Sequence, residues 1–160
     1  MLHRLFFFFV TLHLPSIEIP LKTNNNEETC LLLVVNGHEF TTWWSARQYC
    51  SSIGADFYVP NSEDENLALS RYYDDWKRAG VTSFWLGVTA NENCNFMKFN
   101  GYPLEYEGWA SDEPNCTSET KPQCVYLNIL ANEKNWKVQD CYAKEAFACQ
   151  VKVGQKIHQG

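Results

Sequence analysis

Seven cysteines follow an apolar N-terminal stretch, and they constrain this chain more than any other feature. They are Cys30, Cys50, Cys94, Cys116, Cys124, Cys141 and Cys149, with no C-x-x-C spacing and no histidine pair beside them. Zinc ribbons and thioredoxin-type motifs need such spacings, so both are set aside. The N-terminus indicates the compartment. Arg4 precedes the apolar run LFFFFV, which continues into TLHL. A basic start followed by such a run suits a secretory signal peptide, and the run falls short of the roughly 20 apolar residues that span a bilayer. Residues 1–20 are read as that signal peptide, although no Ala-x-Ala cleavage site is present; a buried N-terminal strand is the alternative. In a secreted chain the cysteines read as disulfides. Their odd number leaves at least one thiol free or joined to another chain.

A length of 160 residues fits one domain. Aromatics at 15% and charged residues at 20% exclude a disordered chain, a coiled coil and a collagen-like repeat. A net charge of −6 gives no basis for binding a nucleic-acid backbone. Removing residues 1–20 would leave that charge unchanged, because it takes one base, Arg4, and one acid, Glu18. Residues 21–29 read as a polar linker, 30–153 as the domain and 154–160 as a tail.

Within the domain, the run LLLVV at 31–35 reads as a buried strand. Trp43, Ala46, Cys50 and Ile53 recur at helical spacing, with Thr41 or Thr42 as cap and Gly54 as stop. A second helix opens on the capping box Ser62 and Glu65, turns Leu69, Tyr73 and Trp76 inward, and closes at Lys77, Arg78 and Gly80. Residues 84–88, 124–130 and 146–153 read as strands, and 89–121 as a long irregular stretch of the kind that carries function. The fold class is α+β.

The order of motifs from Trp43 to Cys149 resembles the C-type lectin domain family. WSARQYC at 44–50 looks like its first-helix signature, and FWLGV at 84–88 is similar to its core strand. Asn100-Gly101, Leu104, Tyr106 and Trp109-Ala110 lead into Glu113-Pro114-Asn115, then Cys124-Val125, Trp136, Cys141 and Phe147-Ala148-Cys149. The resemblance implies the C-type lectin-like fold, with two helices, antiparallel sheets and a long loop region. It also implies the disulfides Cys50–Cys149 and Cys124–Cys141, worth roughly 4–5 and 3 kcal/mol by chain entropy. Cys94 and Cys116 both lie in the irregular stretch and are expected to form a third bridge. Cys30 is then left either to link a second chain or to lie buried.

In sugar-binding members of the family, one Ca²⁺ holds two adjacent sugar hydroxyls while its carboxylate and Asn ligands hydrogen-bond the same hydroxyls. The resemblance carries Glu113 and Asn115 onto that role, in the form associated with mannose-type sugars, with a cis Pro114 between them. Glu119 is a further candidate ligand. Sugar binders carry Trp-Asn-Asp, whereas this chain reads Trp136-Lys137-Val138. Asp140 stands two residues beyond, roughly 6.6 Å along a strand. Glu92 is the nearby acid of a weak auxiliary site. Lys137 has two readings, a solvated lysine on a strand edge or an ammonium that repels calcium and pairs with Glu113 in its stead. Asn115-Cys116-Thr117 is also an N-glycosylation sequon, and a glycan on Asn115 would block the sugar site.

No hydrolase, metalloprotease or phosphate-binding motif is present, and catalysis is not expected. Two readings remain. One is a secreted lectin of cell-surface or microbial glycans, in immune recognition or modulation, with calcium as its cofactor in question. The other is a calcium-independent lectin-like module that binds a protein partner. Tyr102, Tyr106 and Trp109 are candidate contact residues in either, Trp109 reading more as core.

Overall fold

The computed structural model describes residues 16–22, 28–34, 41–116, 121–131 and 134–153. Eight strands are seen among them: β1 (Ser16–Lys22), β2 (Glu28–Val34), β3 (Asp56–Phe57), β4 (Ser83–Ala90), β5 (Phe96–Lys98), β6 (Gln123–Asn128), β7 (Trp136–Asp140) and β8 (Ala146–Lys152). They form one sheet in the order β1-β2-β8-β4-β6-β7, with β3 added to β8 and β5 to β4. The β4–β8 pairing is parallel and the rest are antiparallel.

Helix α1 (Trp43–Ser52) starts where the Thr42 hydroxyl accepts the Ser45 N–H at 3.3 Å. It ends before Gly54, whose φ of +75° suits a residue without a Cβ. The second helical region is not one helix. It divides into α2 (Glu63–Ala68), a 3-10 turn (Leu69–Tyr72) and α3 (Tyr73–Arg78). The Ser70 hydroxyl donates to the Leu67 carbonyl at 2.7 Å, a side-chain bond of the kind that competes with the regular ladder. The capping box is present: Ser62 Oγ accepts the Glu65 N–H, and the Glu65 carboxylate accepts the Asn61 N–H at 2.9 Å.

The sheet has apolar packing on both faces. Leu31 and Leu33 of β2 join Leu69, Trp76, Phe84 and Leu127 on one side, while Cys30, Leu32 and Val34 join Trp43, Cys50 and Phe147 on the other. Burial on both faces is why β2 reads as an unbroken apolar run. The three expected disulfides are present: Cys50–Cys149, Cys94–Cys116 and Cys124–Cys141.

Residues 16–20, assigned to the leader, are strand, and so are 21, 22, 28 and 29 of the assigned linker. Ile19 and Leu21 are buried in the core and alternate with the exposed Glu18 and Pro20, a period-2 pattern masked in the sequence by the apolar run before it. A cut after residue 20 would remove five of the seven residues of β1. Residues 1–15, 23–27 and 154–160 lie outside the described residues. Of the two readings of Cys30, the structure supports burial. Its thiol is buried, 4% exposed, and donates to the Leu31 carbonyl. Burial, followed by the Glu18 carboxylate, pushes its pKa up to about 11. A protonated, covered thiol is poorly suited to an interchain disulfide.

Trp136 ties the helical layer to the sheet. Its indole N–H donates to Asn66 Oδ1 at 3.0 Å, Asn66 Nδ2 donates to Asn135 Oδ1 at 3.1 Å, and Asn135 Nδ2 donates to the Tyr73 hydroxyl at 2.9 Å. Asn66 and Asn135 are both buried, so each bond replaces water that cannot enter. The variant Asn135→Leu is expected to lose about 2–4 kcal/mol, from unpaired groups on Asn66 and Tyr73. Guanidinium unfolding would show it as a lower midpoint at unchanged slope. A cost below about 0.5 kcal/mol would show that this network does not hold the layers together.

Candidate functional site

The long loop is held against the sheet by the start of β7. Trp136 N–H donates to the Gly108 carbonyl at 2.8 Å and Ala110 N–H donates to the Trp136 carbonyl at 3.0 Å, so residues 108–110 run beside Trp136. This approach needs a glycine, because a Cβ at Gly108 would meet Trp136 Nε1 at 2.8 Å. Trp109 and Tyr106 both pack edge-on against the Trp136 ring at 5.6 Å. These two rings therefore support the loop, while Tyr102 is 66% exposed. At the loop's other margin, Cys94–Cys116 joins the β4–β5 turn to the residue after Asn115.

Between these anchors lies the Glu113–Asn115 turn. Glu113 N–H donates to the Ala110 carbonyl at 3.1 Å, and the Glu113–Pro114 peptide is cis. Glu113 Oε2 accepts the Asn115 N–H at 2.9 Å. Glu113 is half-buried and Asn115 exposed, so the turn presents a carboxylate and a carboxamide at the surface. Asn115 is accessible to a sugar or to glycosylation. Glu119 lies outside the described residues.

Lys137 and Val138 follow Trp136 along β7. Register decides where these point. Lys137 is opposite Tyr126 and Val138 opposite Val125, so the two project from opposite faces. Burial, then the carboxylates of Glu145 and Glu113, hold the Tyr126 phenol above its ordinary pKa. Among the described residues, however, no ion pair within 4.0 Å joins Lys137 to Glu113, and the expected exchange of lysine for calcium is not formed.

Sequence reasoning missed a different lysine. Lys121 Nζ lies 3.2 Å from Asp140 Oδ2, while Asp140 Oδ1 accepts the Tyr142 N–H at 2.9 Å. The bond from Tyr142 and the Lys121 ammonium hold the Asp140 carboxyl below its usual pKa. The spare acid of the region is thus committed to its own turn. Trp44 and Tyr142 were also missed: their rings lie 4.8 Å apart, 38% and 64% exposed. Residue 44 falls off the helical stripe, a signal that was present in the sequence.

Residues 39–151 match the family described as Lectin C-type domain. The chain belongs to the C-type lectin domain family. It is 29% identical over 111 residues to C-type lectin domain family 3 member A of Bos taurus, covering 69% of this chain and 54% of that protein. The chain thus spans about half the length of that relative. The carbohydrate-recognition domain of the mouse scavenger receptor C-type lectin has the same fold, with a TM-score of 0.62 at 18% identity over 79% of this chain and 91% of that one. So does a calcium-independent type II antifreeze protein, with a TM-score of 0.60 at 22% identity, over 78% and 86% of the two chains.

Calcium requires 6–8 oxygen ligands at about 2.3–2.6 Å. At this lectin turn the described donors are Glu113, with one oxygen already used by Asn115, and the Asn115 amide. Val138 has no donor, Lys137 brings a positive charge, and Asp140 is engaged. Among the described residues no group of three His, Cys, Asp or Glu side chains is placed to hold a metal ion. These residues do not fit a calcium ion.

Two outcomes test this account. Lys137→Asn with Val138→Asp supplies two donors and removes a cation, and should raise calcium affinity by about ten-fold or more in calorimetry. No gain would mean that the turn is not positioned as a ligand pair. Cys94→Ser with Cys116→Ser is expected to cost about 3 kcal/mol. It should also loosen the Glu113–Asn115 turn, read as faster amide exchange there than in β4.

Proposed function

We propose that this chain is a secreted, carbohydrate-binding C-type lectin of mannose-type glycans that serves immune recognition or modulation. Membership of a carbohydrate-binding family supports binding rather than catalysis. The observation that carries the reading is the exposed Glu113–Asn115 turn, clamped by Cys94–Cys116 on one side and by Trp136 on the other. Glu113 accepts and the Asn115 amide donates, the pair of functions that two neighbouring sugar hydroxyls require. A turn fixed before the ligand arrives loses little entropy on binding. Because the donor set does not fit calcium, the sugar contact rests on hydrogen bonds and is weak for a single site.

Secretion is part of the proposal: three disulfides belong to an oxidising compartment, and the apolar run before β1 supplies the signal. A leader consistent with the fold ends before Ser16. Asn115 carries either the sugar site or an N-linked glycan, since the two exclude each other.

The damaged calcium site favours a second reading, a lectin-like module with a protein partner. Retention of the secreted protein on immobilised mannan, with calcium and then with EDTA, separates the two. Retention that survives EDTA is the expected result. Release by EDTA would show a working calcium site, and passage straight through would move the assignment to the protein-binding module.

A further inference from the structure

The three disulfides differ in what can reach them. Cys50, Cys149, Cys124 and Cys141 are each 0% exposed, within the apolar cluster that also holds Trp43 and Phe147. Cys94 and Cys116 are both partly exposed. Thiol–disulfide exchange requires a thiolate to reach a sulfur of the bond it breaks, so access decides which bridge opens. Cys94 also sits at a φ of +60°, in the left-handed region that a residue with a Cβ rarely adopts. Cys30 is buried on β2 and supplies no competing thiol.

The two ends of the exposed bridge are held very differently. Cys94 belongs to a turn that fastens itself. Its N–H donates to the Asn91 carbonyl at 3.0 Å, and Asn91 N–H donates to the Asn95 carbonyl at 2.9 Å. Asn91 Oδ1 also accepts the N–H groups of Asn93 and Asn95, at 2.9 and 3.0 Å. β4 and β5 pair on either side of that turn. Cys116 has no such frame. The Trp136 anchor ends at Ala110, and the hydrogen bonds beyond it stay local: Glu113 N–H to the Ala110 carbonyl and Asn115 N–H to the Glu113 carboxylate. Among the described residues, Cys94–Cys116 is the one covalent bond, hydrogen bond or ion pair that joins 111–116 to a distant part of the chain.

We propose that Cys94–Cys116 is a thiol-exchange site, opened by an external dithiol while the other two disulfides stay closed, and that its opening releases the Glu113–Asn115 turn. A thiolate of the dithiol attacks one sulfur of the bridge and forms a mixed disulfide. The other cysteine leaves as a thiolate and takes a proton from water. The second thiol of the dithiol then loses its proton, attacks the mixed disulfide and frees the remaining cysteine. The bridge is reduced by two electrons, and the dithiol is oxidised to its own disulfide. The 91–95 turn keeps its own bonds, so order is lost on the Glu113 side. That this release controls glycan binding rests on the proposed reading of the turn as the sugar contact.

Titration of the full chain with dithiothreitol, followed by iodoacetamide trapping and mass mapping of each cysteine, tests the proposal. Cys94 and Cys116 should be alkylated at a dithiothreitol concentration about ten-fold below that which opens either other bridge. In that state, amide exchange at Glu113 and Asn115 should speed up by about ten-fold, while Ala110 and residues 91–95 keep their rates. Retention on immobilised mannan should fall. Cys94→Ser with Cys116→Ser should show the same weakened retention without reductant and no further response to it. Opening of Cys50–Cys149 or Cys124–Cys141 first, or of all three together, would overturn the assignment. So would unchanged exchange at Glu113 and Asn115 in the opened protein, or a retained chain that is held equally well before and after opening. Failure of the untreated chain to bind mannan would refute the glycan reading alone, and the alkylation and exchange results would still decide the thiol-exchange site.

Discussion

The indole N–H of Trp136 meets the side-chain oxygen of Asn66 inside an apolar core, and the site depends on that bond. Trp136 is fully buried, so its N–H must find a protein partner, and the asparagine that provides one is held in turn by Asn135 and Tyr73. With the ring fixed, its edges and backbone become an anchor. Trp109 and Tyr106 pack on the ring, while Gly108 and Ala110 bond the backbone. The long loop thus gains a defined position without regular secondary structure of its own. Loosening of the ring would be transmitted directly to the Glu113–Asn115 turn.

The proposed absence of calcium chemistry at that turn is compatible with an intact lectin framework. Lys137 and Val138 remove two oxygen donors, yet neither change disturbs β7, whose pairing with β6 runs from Gln123 opposite Asp140 to Leu127 opposite Trp136. Strand pairing is a backbone property, so ligand positions can change without loss of fold. Asp140 and Lys121 close the end of the strand as a pair, and the disulfides fix the loop's margin. The result is a family fold whose loop turn is held by a disulfide at one margin and by Trp136 at the other.

Much of this was legible in the sequence because it rests on short-range physics or on covalent constraint. The cap at Thr42, one of the two threonines offered, the Ser62 cap, the Gly54 stop and the inward stripe of Leu69, Tyr73 and Trp76 appear as expected, as do the two disulfides that the family resemblance implied and the Cys94–Cys116 bridge. What the sequence left open or missed has a common cause. The break in the second helix, the strand pairing of Ser16–Lys22, the burial of Cys30 and the placement of Lys137 all depended on neighbours distant in the chain. β1 is a strand because β2 is beside it in register from Ser16 opposite Val34 to Lys22 opposite Glu28. An apolar N-terminal run carries no such information.

By itself the sequence determined the α+β class and the local helix signals, and its resemblance to the C-type lectin family implied the fold and two of the disulfides. The local signals follow from apolar periodicity and capping chemistry, which act over a few residues. Tertiary structure alone decided which lysine meets which acid, which aromatics remain exposed and which disulfide solvent can reach. Those outcomes are set by side-chain direction and by register across the sheet. A single step along a strand turns Lys137 to one face and Val138 to the other, and no local pattern specifies what waits there.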